Sequence, residues 1–296
     1  MHIGIAGIGA MGSNIGARLM EVGHTLSVWN RTAEKTRPLA EAGASVARTP
    51  AELAGAVEIV ITLLIDGTAI DAVYNGPQGL LAGDVKGKLF IEMSTVPPAV
   101  QIALVEKVRA SGAALVECPV GGSVIPARAG QLLGLMGGEP ADAARARPVL
   151  EQICRRVMHA GPVGSGELLK LAVNLPLMVY WQALGEQLAL CQSLKIDPAE
   201  LMDFLSDTSG AATVLKQRMP NIIARLKNAP PAANFTFSID GGIKDVKAML
   251  AEAQSRGIEL PLLRQTLACY EEAKATLTGN DEVSNVAVYW RTRKGR

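Results

Sequence analysis

Short apolar runs alternate with segments of helical length over the first half of this 296-residue chain. A strand inside a parallel sheet is such a run, because both of its faces are buried. Strands joined by helices form βαβ units, which build a parallel sheet covered by helices on both faces. We therefore predict strands over residues 3–6, 25–29, 58–64, 88–93, 114–119 and 132–136, with helices over 11–21, 97–110 and 141–152.

The second half has a different pattern. Residues 160–166 are glycine-rich and predict a connector, and the almost wholly apolar segment 167–194 predicts a helix buried nearly all round. The predicted fold class is α/β, with a doubly wound parallel sheet in residues 1–162 and an all-α domain in residues 163–296. The further helices are expected over residues 198–206, 213–226, 243–255, 261–276 and 282–289.

Composition excludes several classes of protein. A net charge of +1 and 4% aromatic residues argue against nucleic-acid binding. The chain has no uninterrupted run of 18 apolar residues, so we expect no membrane span. Its first residues include no basic segment, so we expect no signal peptide. The four cysteines lie far apart without a CxxC pair, so we expect no metal site, no disulfide framework and a cytoplasmic location. The mean hydropathy of +0.22 is high for a chain without a predicted membrane span. We therefore expect the surplus of apolar residues to lie in buried cores or in a subunit interface.

A glycine motif follows the first predicted strand directly and opens the first predicted helix. Its first glycine makes the turn, the second lets the backbone approach a pyrophosphate, and the third allows close packing of the helix. The helix N-terminus adds free N–H groups and a positive dipole. A plain tight turn is the alternative, but the βαβ context favours dinucleotide binding through Gly7, Gly9, Ala10, Met11 and Gly12.

The end of the second strand distinguishes between the two nicotinamide dinucleotides. An acidic residue there normally binds the ribose 2′-hydroxyl of NAD, whereas an arginine accommodates the 2′-phosphate of NADP. This chain has Asn30, Arg31 and Thr32 at that place, and no acidic residue before Glu34. The sequence therefore favours NADP, with Arg31 binding the phosphate and the other two adding neutral hydrogen bonds. An exposed loop arginine is the alternative.

A second glycine-rich turn follows the fifth predicted strand. Residues 117–123 run off the end of this strand, where ligands of doubly wound sheets bind. The backbone N–H groups of Gly121, Gly122 and Ser123 can form a nest for a carboxylate. An ordinary turn at the end of a strand is the alternative.

Two pairs of polar residues in the second half also indicate chemistry. Lys170 and Asn174 are four residues apart and therefore lie on one face of the apolar helix. Desolvation brings a lysine toward the range where it both donates and accepts a proton, although a lysine that extends to a nearby surface is the alternative. Lys244 and Asp245 follow a glycine pair that predicts a turn opening a helix, and a solvated ion pair is the alternative there.

In this order and at these separations, the segments resemble the β-hydroxyacid dehydrogenase family, also called the 3-hydroxyisobutyrate dehydrogenase family. The resemblance extends over the whole chain, and the joint pattern is far more specific than any one motif. Its other matching segments are Gly23-His24, Ser94-Thr95 and Ala127-Arg128-Ala129-Gly130.

The resemblance implies an N-terminal Rossmann domain with a doubly wound parallel sheet, and an all-α C-terminal domain that forms a dimer or tetramer. It implies reversible, metal-free hydride transfer between NAD(P) and a 3-hydroxy acid or its semialdehyde. By motif, Lys170 is similar to the catalytic residue and Asn174 to its partner at the substrate hydroxyl. Residues 121–123 match the loop that holds the substrate carboxylate, and Asp245 matches a residue next to the substrate. The matching cofactor positions are Ala10, Met11, Asn30, Arg31, Leu63, Leu64, Thr95 and Lys244.

Two segments depart from the family pattern. The family usually has Ser-Gly-Gly in the substrate loop, whereas this chain has Gly121-Gly122-Ser123 and therefore lacks the hydroxyl at position 121. Residues 208–213 lack the aromatic side chain that relatives often place in the pocket. A bulkier or less polar substrate than a small hydroxy acid is therefore an open alternative.

We predict an NADP-preferring oxidoreductase of this family, with NAD as a possible second cofactor and Lys170 as the proton donor and acceptor. An imine reductase-like NADPH enzyme shares the architecture but usually lacks the helix lysine, and a catalytically silent NADPH-binding protein is the other alternative. The expected partners are a small-molecule substrate and further copies of the chain, with no nucleic acid, membrane or metal. The basic residues 291–296 predict a solvated terminus.

Overall fold

A computed structural model of the protein describes residues 1–231, 237–279 and 281–293. By packing, the chain divides into two compact units, Met1–Lys170 and Leu171–Arg296. The expected boundary after residue 162 stays a prediction. The last three residues of the predicted solvated terminus, 294–296, lie outside the described residues.

The first unit contains a single mixed sheet and the helices that cover it. The strands are β1 (His2–Ala6), β2 (Thr25–Trp29), β3 (Ser45–Val46), β4 (Ile59–Thr62), β5 (Leu89–Glu92), β6 (Ala114–Glu117), β7 (Val120–Gly121), β8 (Leu132–Gly137) and β9 (Cys154–Gly161). The helices are α1 (Ala10–Glu21), α2 (Arg37–Glu41), α3 (Pro50–Ala56), α4 (Gly67–Asn75), α5 (Pro98–Ala110), α6 (Val124–Arg128), α7 (Pro140–Ile153) and α8 (Ser165–Leu190), which continues into the second unit.

The strand order confirms the predicted doubly wound sheet. The parallel strands run β3-β2-β1-β4-β5-β6, which is the Rossmann order. Successive side chains on a strand point to opposite faces, so Ile61 and Ile91 enter one hydrophobic core while Val60 and Phe90 enter the other. In the register of the sheet, Ala6 pairs with the last residues of both β2 and β4, which brings three carboxyl ends together at one edge.

Strands β3, β7 and β9 lie where the sequence predicted none. Strand β9 pairs in parallel with β8 and follows α7 without a loop, so the predicted connector begins two residues later than expected. This strand carries two consecutive exposed arginines, Arg155 and Arg156, instead of an apolar run. A strand at the edge of a sheet has only one neighbour, and its sequence therefore lacks the signal of a buried strand.

The second unit is all-α in the described residues, as predicted. Its helices after α8 are α9 (Pro198–Ser206), α10 (Val214–Leu226), α11 (Ile239–Ser255), α12 (Pro261–Lys274) and α13 (Asn285–Thr292). Helix α11 begins four residues earlier than predicted, because the Ser238 hydroxyl accepts the Gly241 N–H at 3.2 Å and caps the helix there. The glycine pair before Lys244 therefore lies in the first helical turn and not in a turn ahead of the helix.

Helix α8 is not buried all round, which corrects the prediction for this segment. Met178, Trp181 and Leu184 belong to the core of the second unit, whereas Val173 and Leu190 are exposed. Among the described residues, α8 alone is long and apolar enough to cross a membrane, with 39% of the relevant window buried. Core helices meet the same criteria, and we assign α8 to the core of the second unit because part of its side chains belong to that core.

Candidate active site

The backbone of the first glycine motif has the geometry of a dinucleotide-binding turn. Gly7 has a φ of +104°, and a Cβ there would overlap the Leu63 carbonyl oxygen. A Cβ on Gly12 would overlap the Gly7 carbonyl oxygen, so helix and strand could not pack as closely. Beside Gly9, by contrast, no described residue beyond its chain neighbours has a heavy atom within 4 Å of where a Cβ would stand. The turn therefore has two glycines for packing and one open backbone position for a pyrophosphate.

The N-terminus of α1 is available to an anion. Gly9 occupies the capping position with extended backbone and has no side chain to fill it, and residues 10–13 of the first turn include no acidic residue. Ala10 is exposed and Met11 is half-buried. The N–H groups of a first helical turn have no partner within the helix, and the dipole favours negative charge there. These residues fit the phosphates of a dinucleotide.

Asn30 connects the end of β2 to the glycine motif. Its Oδ1 accepts the Ile8 N–H at 2.9 Å, and its Nδ2 donates to the Thr32 carbonyl oxygen at 2.8 Å. Arg31 and Thr32 are exposed beside it. Asn30 therefore fixes the loop that carries Arg31, a task that the sequence interpretation did not assign to it.

The remaining cofactor positions of the first unit lie at the same edge of the sheet. Leu63 and Leu64 follow β4 and are half-buried, as is Thr95 after β5. The Leu64 N–H donates to Ser94 Oγ at 2.7 Å, and Ser94 Oγ donates in turn to Glu92. The loops after β4 and β5 are thus joined by a hydrogen bond at this edge of the sheet.

Lys170 lies against the predicted substrate loop. Its Nζ donates to the Val120 carbonyl oxygen at 2.8 Å, and the side chain is 9% exposed. Val120 directly precedes Gly121, so the structure brings the ammonium and the loop together within the first unit. The loop needs a glycine at 122, where φ is +124° and a Cβ would stand 2.8 Å from Leu132 Cδ2.

Position 121 has room for a side chain. A Cβ there would stand 3.4 Å from Leu133 Cβ, an ordinary contact, and Gly121 does not have a positive φ. Ser123 is half-buried at the capping position of α6, and its side chain makes no capping bond in the described structure. Neither the backbone nor the neighbours therefore require the glycine that replaces the family serine.

Two of the predicted site residues of the second unit, Asn174 and Asp245, form a hydrogen-bonded pair. Asn174 Nδ2 donates to Asp245 Oδ2 at 3.4 Å, which joins α8 to α11. Asp245 is half-buried, and Lys244 is exposed next to it. The aspartate thus orients the amide that the family resemblance assigns to the substrate hydroxyl.

The sequence interpretation did not single out three glutamates that lie near the predicted site. Glu92, Glu117 and Glu167 are fully buried. Burial raises the pKa of Glu117 to about 7 and that of Glu167 to about 9, and it raises the pKa of Glu92 as well. The sequence does contain a signal that could have identified them. Glu92 and Glu117 each end a buried strand, and Glu167 lies near the start of an apolar helix.

A Rossmann sheet with an open glycine turn at its carboxyl edge defines the class of dinucleotide-binding proteins. Residues 2–161 match the family described as the NAD binding domain of 6-phosphogluconate dehydrogenase. Residues 164–290 match the family described as NAD-binding of NADP-dependent 3-hydroxyisobutyrate dehydrogenase. The chain belongs to the β-hydroxyacid dehydrogenase family, as the sequence resemblance indicated.

Similar proteins share the full length of the chain. It is 32% identical to a 3-hydroxyisobutyrate dehydrogenase of Pseudomonas aeruginosa, over 97% of this chain and 98% of the relative. It is 30% identical to glyoxylate/succinic semialdehyde reductase 1 of Arabidopsis thaliana, over 97% of both chains. A solved 3-hydroxyisobutyrate dehydrogenase of Mycobacterium tuberculosis with L-serine superposes with a TM-score of 0.84 at 25% identity, over 98% of this chain and 99% of the other.

Proposed function

We propose that the protein is an NADP-preferring enzyme that interconverts a 3-hydroxy acid and its semialdehyde, with Lys170 as the proton donor and acceptor. The observation that carries the proposal is the contact between Lys170 Nζ and the Val120 carbonyl oxygen, at 2.8 Å. This contact holds an ammonium group beside the glycine loop to which the family resemblance assigns the substrate carboxylate.

Lys170 supplies a proton to the oxygen of the reacting carbonyl in the reducing direction. An ammonium has three N–H donors, and the one directed at Val120 sets its orientation. In a buried site a positive charge stabilises a developing alkoxide more strongly than it would in water. In the oxidising direction, the neutral amine takes the proton of the substrate hydroxyl. The nicotinamide, when bound, supplies or accepts the hydride.

The substrate and cofactor are assigned to neighbouring loops. The backbone N–H groups of residues 121–123 bind the substrate carboxylate as an anion nest. Arg31, exposed after β2, binds the 2′-phosphate that distinguishes NADP from NAD. In the second unit, Asn174 binds the substrate hydroxyl with Asp245 behind it, and Lys244 binds the cofactor.

We propose a homodimer or homotetramer in the cytoplasm, assembled through the C-terminal domain. Support comes from the apolar side chains that α8 leaves exposed, among them Val173 at 44% and Leu190 at 85%. Exposed apolar side chains on a long helix fit a subunit interface. Sedimentation velocity measures the oligomeric state directly.

A substrate panel tests the reaction class. NADPH oxidation is measured with methylmalonate semialdehyde, succinic semialdehyde, glyoxylate and a cyclic imine, and then repeated with NADH. The highest kcat/KM is expected for an aldehyde that carries a carboxylate, with NADPH preferred. Faster turnover of the imine would identify an imine reductase instead. Tight NADPH binding without turnover of any compound would indicate a silent binding protein.

Restoring the family serine is expected to tighten substrate binding. Gly121→Ser adds a hydroxyl at a position where the structure accommodates a Cβ, next to the proposed carboxylate nest. One hydrogen bond to a charged group contributes about 1.5 kcal/mol, so KM for a carboxylated aldehyde should fall by roughly tenfold. Steady-state kinetics measure this effect, and Gly121→Ala, which adds no hydroxyl, is the matched control. A KM that rises equally in both variants would instead show that a bulkier substrate occupies the space at position 121.

A further inference from the structure

Three buried glutamates lie at the carboxyl edge of the sheet, and the proposed reaction does not use them. Glu92 ends β5, Glu117 ends β6, and Glu167 lies in the first turn of α8. All three are fully shielded from solvent. Burying a carboxylate is costly unless hydrogen bonds compensate, so the partners of each glutamate indicate its task.

Glu117 accepts hydrogen bonds from the start of α8. Its Oε1 lies 2.7 Å from the backbone nitrogens of both Gly164 and Gly166. It lies 3.3 Å from the backbone nitrogen of Glu167. The first N–H groups of a helix have no partners within the helix, and here a side chain from β6 provides the acceptor. One carboxylate oxygen thus caps the helix that carries Lys170.

The close approach depends on glycine. A Cβ on Gly166 would stand 3.1 Å from Glu117 Oε1 and would overlap the Leu135 carbonyl oxygen. A Cβ on Gly137 would overlap Glu117 Oε1 itself. Helix α8 therefore begins directly on the sheet at this point, and the observed backbone leaves no room for a Cβ at these two positions.

The segment that contains Glu117 contacts α8 a second time. Val120, three residues further along, accepts from Lys170 Nζ at 2.8 Å. Lys170 lies four residues after Gly166, about one helical turn on. The segment 117–120 therefore holds α8 at two levels, first through the backbone of its start and then through the lysine. A shift or rotation of the helix at the first contact would displace the ammonium at the second.

The other two glutamates support the same helix start. Gln101 Nε2 donates both to Glu92 and, at 3.3 Å, to Glu167 Oε1. Glu92 also accepts from Ser94, whose Oγ accepts the Leu64 N–H. A buried network of hydrogen bonds thus runs from the proposed cofactor loop to the first turn of α8. Gln101 Oε1, Glu117 Oε2 and Glu167 Oε2 have no hydrogen-bond partner within the described residues, so this network joins the loops to α8 but is only partly satisfied.

We propose that Glu117 is a positioning residue, which fixes the first turn of α8 and thereby holds the Lys170 ammonium at the substrate loop. The proposal rests on the proposed role of Lys170. Glu117 acts here as a hydrogen-bond acceptor, so a glutamine, whose carbonyl oxygen also accepts, should replace it. An alanine removes the acceptor and leaves the three backbone donors buried without it.

Kinetics of three variants test the positioning role. Glu117→Ala should lower kcat by at least about tenfold, since small displacements of a catalytic group have effects of this size or larger. Its KM for NADPH should stay within about twofold of the wild type, because cofactor binding is not the step affected. Glu117→Gln should retain kcat within about threefold, as the acceptor is preserved. The matched control is Glu106→Ala, an exposed glutamate of α5.

A double-mutant cycle separates positioning from general stability. In the Lys170→Ala background, Glu117→Ala should cause no further loss of kcat, because the residue through which Glu117 acts is already absent. Thermal unfolding identifies the folded variants. If Glu117→Ala does not fold, Glu117→Asp takes its place, since it withdraws the carboxylate by one methylene and should also lower kcat.

Two results would overturn the positioning role. One is an unchanged kcat in folded Glu117→Ala or Glu117→Asp, and the other is a further loss of kcat in the Lys170→Ala background. The two proposals fail in different ways. Full turnover by the Lys170→Ala single variant would remove the proposed function itself. An inactive Lys170→Ala variant beside a fully active, folded Glu117→Ala variant would remove only the role of Glu117.

Discussion

Replacing Lys170 with alanine is expected to lower kcat by about a thousandfold, within the range that general acid–base catalysis contributes. The variant loses the proposed proton donor, whose positive charge lies against the Val120 carbonyl oxygen at the proposed substrate loop. The glycine motif and the Arg31 loop stay intact, so the Kd for NADPH should change by no more than about twofold. Stopped-flow reduction of a carboxylated aldehyde gives the chemical step, and fluorescence titration gives the Kd.

The control for this variant is Lys216→Ala. Lys216 is an exposed lysine that pairs with Asp207 on the surface of the second unit, and its removal should leave kcat unchanged. Turnover by folded Lys170→Ala near the wild-type rate would disprove the catalytic role. A loss confined to KM would assign Lys170 to substrate binding alone.

Replacing Arg31 with alanine is expected to raise KM for NADPH by roughly 10- to 100-fold and to leave KM for NADH almost unchanged. Hydrogen bonds to charged groups contribute about 1.5–3 kcal/mol, which converts to this range at 1.4 kcal/mol per tenfold. Arg31 is exposed, and salt screens exposed charges, so the difference between variant and wild type should shrink as ionic strength rises. Initial rates with both cofactors at two salt concentrations measure the effect.

Arg37→Ala provides the matched control for Arg31. Arg37 is another exposed arginine, in α2, and pairs with Glu41 one turn later. Its removal should affect neither cofactor by more than about twofold, since exposed ion pairs contribute little. Equal increases of KM for NADPH and NADH in Arg31→Ala would disprove the assignment of the 2′-phosphate to this residue.

The elements predicted best are those with local signals. The apolar run of residues 25–29 gave β2 with its observed bounds, and the glycine motif follows β1 as predicted, with Gly7 and Gly12 packed as their spacing requires. Strand β9 was missed because pairing at the sheet edge imposes no apolar pattern on its sequence. The one-sided burial of α8 was missed for a related reason, since an apolar helix does not encode which of its faces meets a neighbour.

The site was predictable only where its residues lie close together in sequence. Lys170 was singled out because it lies in an apolar helix four residues before Asn174 and matches the family motif, and its catalytic role stays a prediction. Asn30 lies 22 residues from Ile8, and the contact between them depends on the pairing of β1 with β2. Glu117 lies almost 50 residues before the backbone groups that it binds. Contacts over such distances follow from the assembled sheet, and no local pattern announces them.

Capping of α8 by Glu117 limits where the chain can be truncated to obtain the dinucleotide-binding half alone. A fragment that stops at residue 162 would omit Gly164, Gly166 and Glu167, and would leave the Glu117 carboxylate without these donors. By packing, the first compact unit extends to Lys170, beyond the point where the two family matches meet. A fragment that keeps these donors for Glu117 therefore has to include residues 164–167, within one turn of the residue to which we assign proton transfer.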